Sequence, residues 1–327
     1  GLRYIASASE MASGSKTTTF ADATAVKALS THNYSAWFHD DWCIGSVPHG
    51  GYVTSIFKQV VATHFNTTLS KQNQPHTIAL HLDFLRRTQA GEAHFTVKDT
   101  KLGRQASVVH VTLSQAGREE VLGVITNSNI HTETGVSFPT SWSLNPAPSP
   151  VSLTRLAENS DENWCLQPEM PFANFRKASA KTEFYLPREG QKDRSKADEW
   201  IRLRSGEKWT NSSLGYVADM WPMPIEAFLR KENASGANGN DGKTKKMGTM
   251  WYPTLLLNLD VKKVLPDEGV EWLFVRVEAK AIKNGRMDLE IVILDEGGDL
   301  VALSHHVALA VSAERNIAVR NTGASKI

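Results

Sequence analysis

The sequence predicts an α+β protein of two similar halves, each an antiparallel sheet wrapped around one long central helix. Three observations lead there. A helical stretch is followed by four long strand-like segments joined by short turns, the same order recurs in the second half, and the helical stretches carry apolar residues on more than one face. A helix of that kind has to be enclosed, and a single curled sheet is the economical way to enclose it.

In chain order, the first helix is predicted over residues 50–65, where Tyr52, Ile56, Val60 and His64 share a stripe. Strand patterns follow at residues 77–87, 92–103, 104–115 and 120–129. The second helix is predicted over residues 214–229, followed by strands at 254–263, 271–282, 286–294 and 300–311. Leu82-Asp83 is answered by Leu259-Asp260, Gly103-Arg104 by Gly285-Arg286, and the turn at Gly117 by Gly297-Gly298. Such self-similarity marks a duplicated unit. Strand segments ahead of each helix, within residues 34–43 and 181–204, complete the two sheets.

Residues 131–150 are rich in Ser, Thr and Pro without strand or helical period, as expected of a crossing between halves. Residues 189–198 read as a charged turn, and residues 231–247, rich in Gly, Asn and Lys, are expected to be mobile. The organisation is therefore a tail (1–22), a first half (23–130), a linker (131–165), a second half (166–315) and a C-terminal tail (316–327).

Composition narrows the function. Among 327 residues, 36 basic and 35 acidic side chains leave a net charge of +1, without the field that nucleic-acid binding uses. No apolar run approaches the roughly 20 residues of a membrane span. Cys43 and Cys165 lie far apart, with no CxxC or Cys/His cluster in the sequence, which argues against a zinc site and a disulfide framework and for a reducing compartment. The N-terminus lacks a secretory signal, and residues 1–10 ahead of Met11 read as an appended remnant. The terminal Ser325-Lys326-Ile327 is close to the Ser-Lys-Leu address read by peroxisomal receptors, so the expected location is peroxisomal or cytoplasmic.

The pieces HGGY (49–52), LHLDFLRR (80–87), LGRQASVVHVTLSQAG (102–117), EWIRLR (199–204), LGYVADMWPMP (214–224), PTLLLNLDV (253–261), EWLFVRVE (271–278) and DEGGDLVALSHH (295–306) occur in an order that resembles the acyl-CoA thioesterase II family over most of residues 34–312. That resemblance implies a double hotdog fold, with hydrolysis of an acyl-CoA or acyl-carrier thioester to free acid and thiol, and no metal or organic cofactor. In the family an aspartate, a threonine and a glutamine of the second half hold and activate a water. Those positions fall on Asp219, Thr254 and His306, so this chain departs from the pattern at the third.

The chemistry suits these residue types. Thioester hydrolysis needs an activated water and stabilisation of the developing oxyanion, while the thiolate already leaves well. A carboxylate takes the water's proton and a hydroxyl fixes its lone pairs. A histidine at 306 either orients that water or acts as the base itself, since its ordinary pKa lies near 6.5. Asp219 could instead be a charged helix end, Thr254 an ordinary strand residue and His306 a satisfied core histidine, one of an inward/outward pair with His305.

In the first half, His49, Gly50 and Gly51 open a helix where backbone amides could meet a thioester oxygen. Equally, the glycines could serve tight packing and His49 could cap the turn. Gln115 occupies a strand position echoing the second half. Arg86-Arg87, Arg104 and Lys262-Lys263 are candidates for carrier phosphates, and Met220, Trp221 and Met223 for the acyl tunnel. Two other functions stay open. One is a hotdog hydratase using Asp41 and His49, although their separation is unlike the usual spacing. The other is a non-catalytic acyl-carrier binding or assembly-line accessory protein, suggested by the departure at His306. A duplicated hotdog already mimics the usual dimer, leaving further homo-oligomerisation open.

Overall fold

The computed structural model describes residues 17–236 and 249–320. The remnant expected over residues 1–10 and the Ser325-Lys326-Ile327 terminus lie outside them.

The first half comprises β1 (Asn33–Phe38), α1 (Gly50–Asn66), β2 (His76–Phe84), β3 (Gly91–Lys101), β4 (Ala106–Gln115) and β5 (Arg118–Ser128). The second comprises β6 (Trp164–Leu166), β7 (Thr182–Pro187), β8 (Lys196–Leu203), α2 (Leu214–Val217), α3 (Ile225–Gly236), β9 (Thr254–Val261), β10 (Leu273–Glu278), β11 (Arg286–Leu294) and β12 (Leu300–Leu309). The α+β double hotdog is thus present, with every ladder between these strands antiparallel.

One expectation is refined. The two sheets join edge to edge into one, in the order β1-β3-β4-β5-β2-β9-β12-β11-β10-β8-β7-β6. Where β2 meets β9, His81 faces Asn258, Leu80 faces Leu259 and Leu82 faces Leu257. Because Leu82 and Leu259 are repeat equivalents, this crossed register places a pseudo-twofold axis between His81 and Asn258, whose side chains lie 2.7 Å apart.

α1 is enclosed as expected: Tyr52, Val53, Ile56, Phe57, Val60 and Val61 are fully buried around its circumference. Burying such a set supplies about 1.5–3 kcal/mol per side chain and is the main force holding sheet to helix. The single helix expected over 214–229 is corrected. α2 lasts four residues and α3 begins only at Ile225, because Pro222 and Pro224 in between offer no N–H and would clash with the preceding turn of a continuous helix. α3 also carries residues 231–236 of the stretch expected to be mobile; residues 237–248 lie outside the described ones.

Within the linker of 131–165, residues 131–152 form no helix or strand. By contrast, Leu153–Ala157 is helical and β6 pairs with β7. Leu156 and Trp164 pack with Tyr185, Trp200, Trp272 and Phe274 as a second small core. The C-terminal turn docks through Asn316, whose carboxamide accepts from the Ser46 amide at 2.8 Å and donates to the Ile44 carbonyl at 2.7 Å. No helix among the described residues is long and apolar enough to cross a membrane.

Candidate active site

The two helix starts meet at glycines. A methyl group on Gly51 would lie 2.8 Å from the Gly215 carbonyl oxygen, and one on Gly215 would lie 2.6 Å from the Ser55 nitrogen. Neither position has room for a side chain, so the backbones of α1 and α2 can approach. That approach carries Asp219, just beyond the end of α2, to the first turn of α1. There its Oδ2 accepts the Gly51 N–H at 3.0 Å. The positive end of a 17-residue helix favours a carboxylate at this point.

Asp219, Gly50, His49 and Thr254 line one cavity of about 530 Å³. A methyl group on Gly50 would sit 3.0 Å from Asp219 Oδ2 and 3.5 Å from Thr254 Oγ1, so carboxylate and hydroxyl converge over this glycine. Among the described residues, neither the Thr254 hydroxyl nor the Gly50 N–H has a hydrogen-bond partner within the protein. The cavity therefore presents an acceptor and a hydroxyl above a lining glycine whose helix-start amide has no partner among the described residues.

The remaining expected site residues divide. Gly51 spends its amide on Asp219 and is not free for a substrate oxygen. His49 caps α1, its Nδ1 accepting the Tyr52 N–H at 3.2 Å, which leaves Nε2–H to donate to the Asp219 carbonyl at 2.8 Å. Both ring nitrogens are thus engaged in holding the helix start and the Asp219 backbone.

His306 points inward and His305 outward, as strand alternation requires. His306 is fully buried behind Asp219 and is not on the cavity wall. Ser304 donates its hydroxyl to the Asn258 carbonyl at 2.6 Å, so His306 Nε2 must donate to Ser304 Oγ at 3.0 Å. This leaves the Nδ1 lone pair 3.8 Å from Asp219 Oδ1 and without a partner. Burial pushes the imidazole down to about 4, so the ring is neutral near pH 7.

Around this centre, Trp221 and Met223 line the cavity as expected, whereas Met220 belongs to the core. Arg86 and Arg87 reach the wall; Arg104, Lys262 and Lys263 do not, and both lysines pair with aspartates elsewhere. Gln115 is structural, bonded to both backbone groups of Gln89. Asp41 is occupied by Lys181 at 2.5 Å and by the Thr18 amide, which removes it from the pair that a hydratase would need.

Sequence reasoning missed Arg176, Trp251, Tyr252 and Arg315 on the same wall. Arg176, buried, pairs with Glu226, which also accepts from the Tyr252 hydroxyl at 3.2 Å and the Trp221 indole at 3.3 Å. These groups come from four separate segments, and no spacing in the sequence joins them.

A double hotdog with an acid held against the start of a central helix defines a protein of the thioesterase-like hotdog class. The acyl-CoA thioesterase N-terminal domain model matches residues 38–128, and the acyl-CoA thioesterase C-terminal domain model matches residues 150–310. The thioesterase-like protein TwmA of Talaromyces wortmannii is 35% identical over 345 aligned positions, spanning 96% of this chain and 97% of TwmA. The chain belongs to the acyl-CoA thioesterase family. Its fold is similar to acyl-CoA thioesterase II TesB2 from Mycobacterium marinum (TM-score 0.61, 16% identity, 90% of this chain and 98% of that one). It is also similar to a hot dog fold protein of unknown function from Alicyclobacillus acidocaldarius (TM-score 0.69, 13% identity, 90% and 99%).

Proposed function

We propose that the protein hydrolyses an acyl thioester, on coenzyme A or an acyl-carrier protein, with Asp219 as the base. The observation that carries this reading is the convergence of the Asp219 carboxylate, the Thr254 hydroxyl and the Gly50 N–H on one cavity. A water held by Asp219 and Thr254 is polarised as the carboxylate takes its proton. Its oxygen then attacks the thioester carbon, and the carbonyl oxygen collects negative charge facing the unspent Gly50 amide at the helix start. The intermediate collapses with cleavage of the carbon–sulfur bond. The acid and the thiolate leave, and the thiolate takes up the proton. No cofactor enters these steps.

His306 contributes as a neutral ring behind Asp219, limiting the positions the carboxylate can take. Arg86 and Arg315, on the exposed rim of the cavity, suit the phosphates that both carriers bring, while half-buried Arg87 donates to the carbonyls of Arg315, Asn316 and Ala318. Thiol release from acyl-CoAs of graded chain length tests the reading. A kcat lowered about a thousandfold in Asp219→Asn, with the fold retained, is the expected result. Tight binding without turnover in the unmutated chain would replace hydrolysis with a carrier-binding role.

A further inference from the structure

The far end of α1 gathers a second polar cluster that thioester hydrolysis does not use. His64 lies fourteen residues beyond Gly50, about 21 Å along the helix at 1.5 Å per residue. Its Nε2 is 2.8 Å from Asp99 Oδ1, and His32 Nε2 is 2.8 Å from Asp99 Oδ2. The three come from separate places: the turn before β1, the last turn of α1, and β3. All the ligand-capable atoms lie within 4.8 Å of one another.

The hydrogen-bond directions are informative. The Tyr34 hydroxyl donates to the Thr31 carbonyl at 3.1 Å, so at its 2.8 Å contact with His64 Nδ1 the ring nitrogen has to be the donor. With the hydrogen on Nδ1, a neutral His64 turns its Nε2 lone pair toward the Asp99 carboxylate. Two acceptors at that distance need a positive charge between them. The His32 Nδ1 is likewise held by a hydroxyl, Thr31 Oγ1 at 2.9 Å. Ring nitrogens anchored on the side away from a convergent carboxylate are the outer-shell arrangement of histidine metal ligands.

We propose that His32, His64 and Asp99 form a binding site for a divalent metal ion of the zinc class. Two imidazole nitrogens and a carboxylate suit such an ion, with water in the remaining position. Donors each about 2 Å from one ion lie roughly 3–4 Å apart. The present spacing therefore needs only a small turn of His32, whose side chain is 38% exposed and leaves a path for the ion. Bound there, the ion clips the end of the central helix to the sheet near its β1 edge. This site was not visible in the sequence, where the spacing of the cysteines argued against zinc and the three residues lie 32 and 35 positions apart.

The test is calorimetric titration of ZnCl2 into the chelator-treated, dialysed full chain, with Co2+ absorption as a spectroscopic probe and thermal melting alongside. One equivalent of zinc, a higher Tm with the metal, and at least tenfold weaker binding in both His32→Gln and Asp99→Asn are expected. His32→Gln is a partly exposed change and keeps the fold measurable if Asp99→Asn does not. No binding, or unchanged stoichiometry and affinity in both variants, would overturn the site. Neither result bears on the thioesterase reading.

Discussion

The candidate site and its counterpart across the pseudo-twofold axis use the same framework to opposite ends. Matching Tyr52 to Tyr216 sets His49 against Ser213, Gly50 against Leu214, Gly51 against Gly215 and Asp219 against Ser55. Matching Leu82 to Leu259 sets Thr77 against Thr254, and both threonines lie at an irregularity in the ladder. At the candidate site the Gly51 amide meets the Asp219 carboxylate, whereas at the counterpart the Tyr216 amide meets the Ser55 hydroxyl at 2.8 Å. Thr254 keeps its hydroxyl free, while Thr77 donates to Asn127 at 2.8 Å. Gly50 opens the cavity, and Leu214 fills the equivalent space, fully buried. One copy has kept its polar groups unsatisfied toward a cavity and the other has satisfied or covered them. That difference separates an open site from a packed one.

The largest effect expected from this comparison is at Asp219. Asp219→Asn should lower kcat in a thiol-release assay by about a thousandfold, within the range of lost base catalysis, while circular dichroism stays unchanged. Ser55→Ala, its mirror, should leave kcat intact.

Next comes His306. Its folded pKa of about 4 lies below the ordinary 6.5 of an unfolded histidine. The stability it contributes is therefore present above about pH 6.5 and is lost as pH falls through about 4, at most about 3 kcal/mol. Urea melts over that window should show this loss in the parent chain and a flatter profile in His306→Gln. Equal slopes would remove the buried neutral ring from the account.

Gly50→Ala puts a methyl group beside Asp219 Oδ2 and Thr254 Oγ1, and should lower kcat/KM about a hundredfold with little change in Tm. Leu214→Ala should do the reverse, costing about 2–5 kcal/mol of stability without creating turnover at the counterpart. The smallest contrast is between the threonines. Thr254→Val should lower kcat about tenfold, whereas Thr77→Val, which strips a buried partner from Asn127, should spare kcat and cost about 1–3 kcal/mol.

Several features were legible because local rules fix them. The first helix was marked by an apolar circumference and a Gly-Gly start, and β11 was an expected strand whose burial alternates over Arg286–Ile293. The duplicated order of elements was legible through Leu82-Asp83 and Leu259-Asp260. Asp219 and Thr254 were reached through resemblance, since nothing local distinguishes them from a helix end and a strand residue. Other features depend on distant contacts. The second helix looked continuous because Val217, Trp221 and Ile225 keep an apolar stripe through the prolines that break it. Gly51 looked free until Asp219 arrived to take its amide, and His306 was open between a water-orienting group, a base and a core histidine until its burial behind that aspartate was known.

The sequence by itself determined the class of fold and the duplication, because periodicity acts over a few neighbours, whereas Asp219 and Thr254 became candidates only through the resemblance to a family. Only the tertiary structure decided which of two matched sites is open, which amide remains unspent, and that His32, His64 and Asp99 meet. Those outcomes depend on which hydrogen-bonding groups are satisfied by partners brought from far along the chain, and a partner's arrival cannot be read from either residue alone.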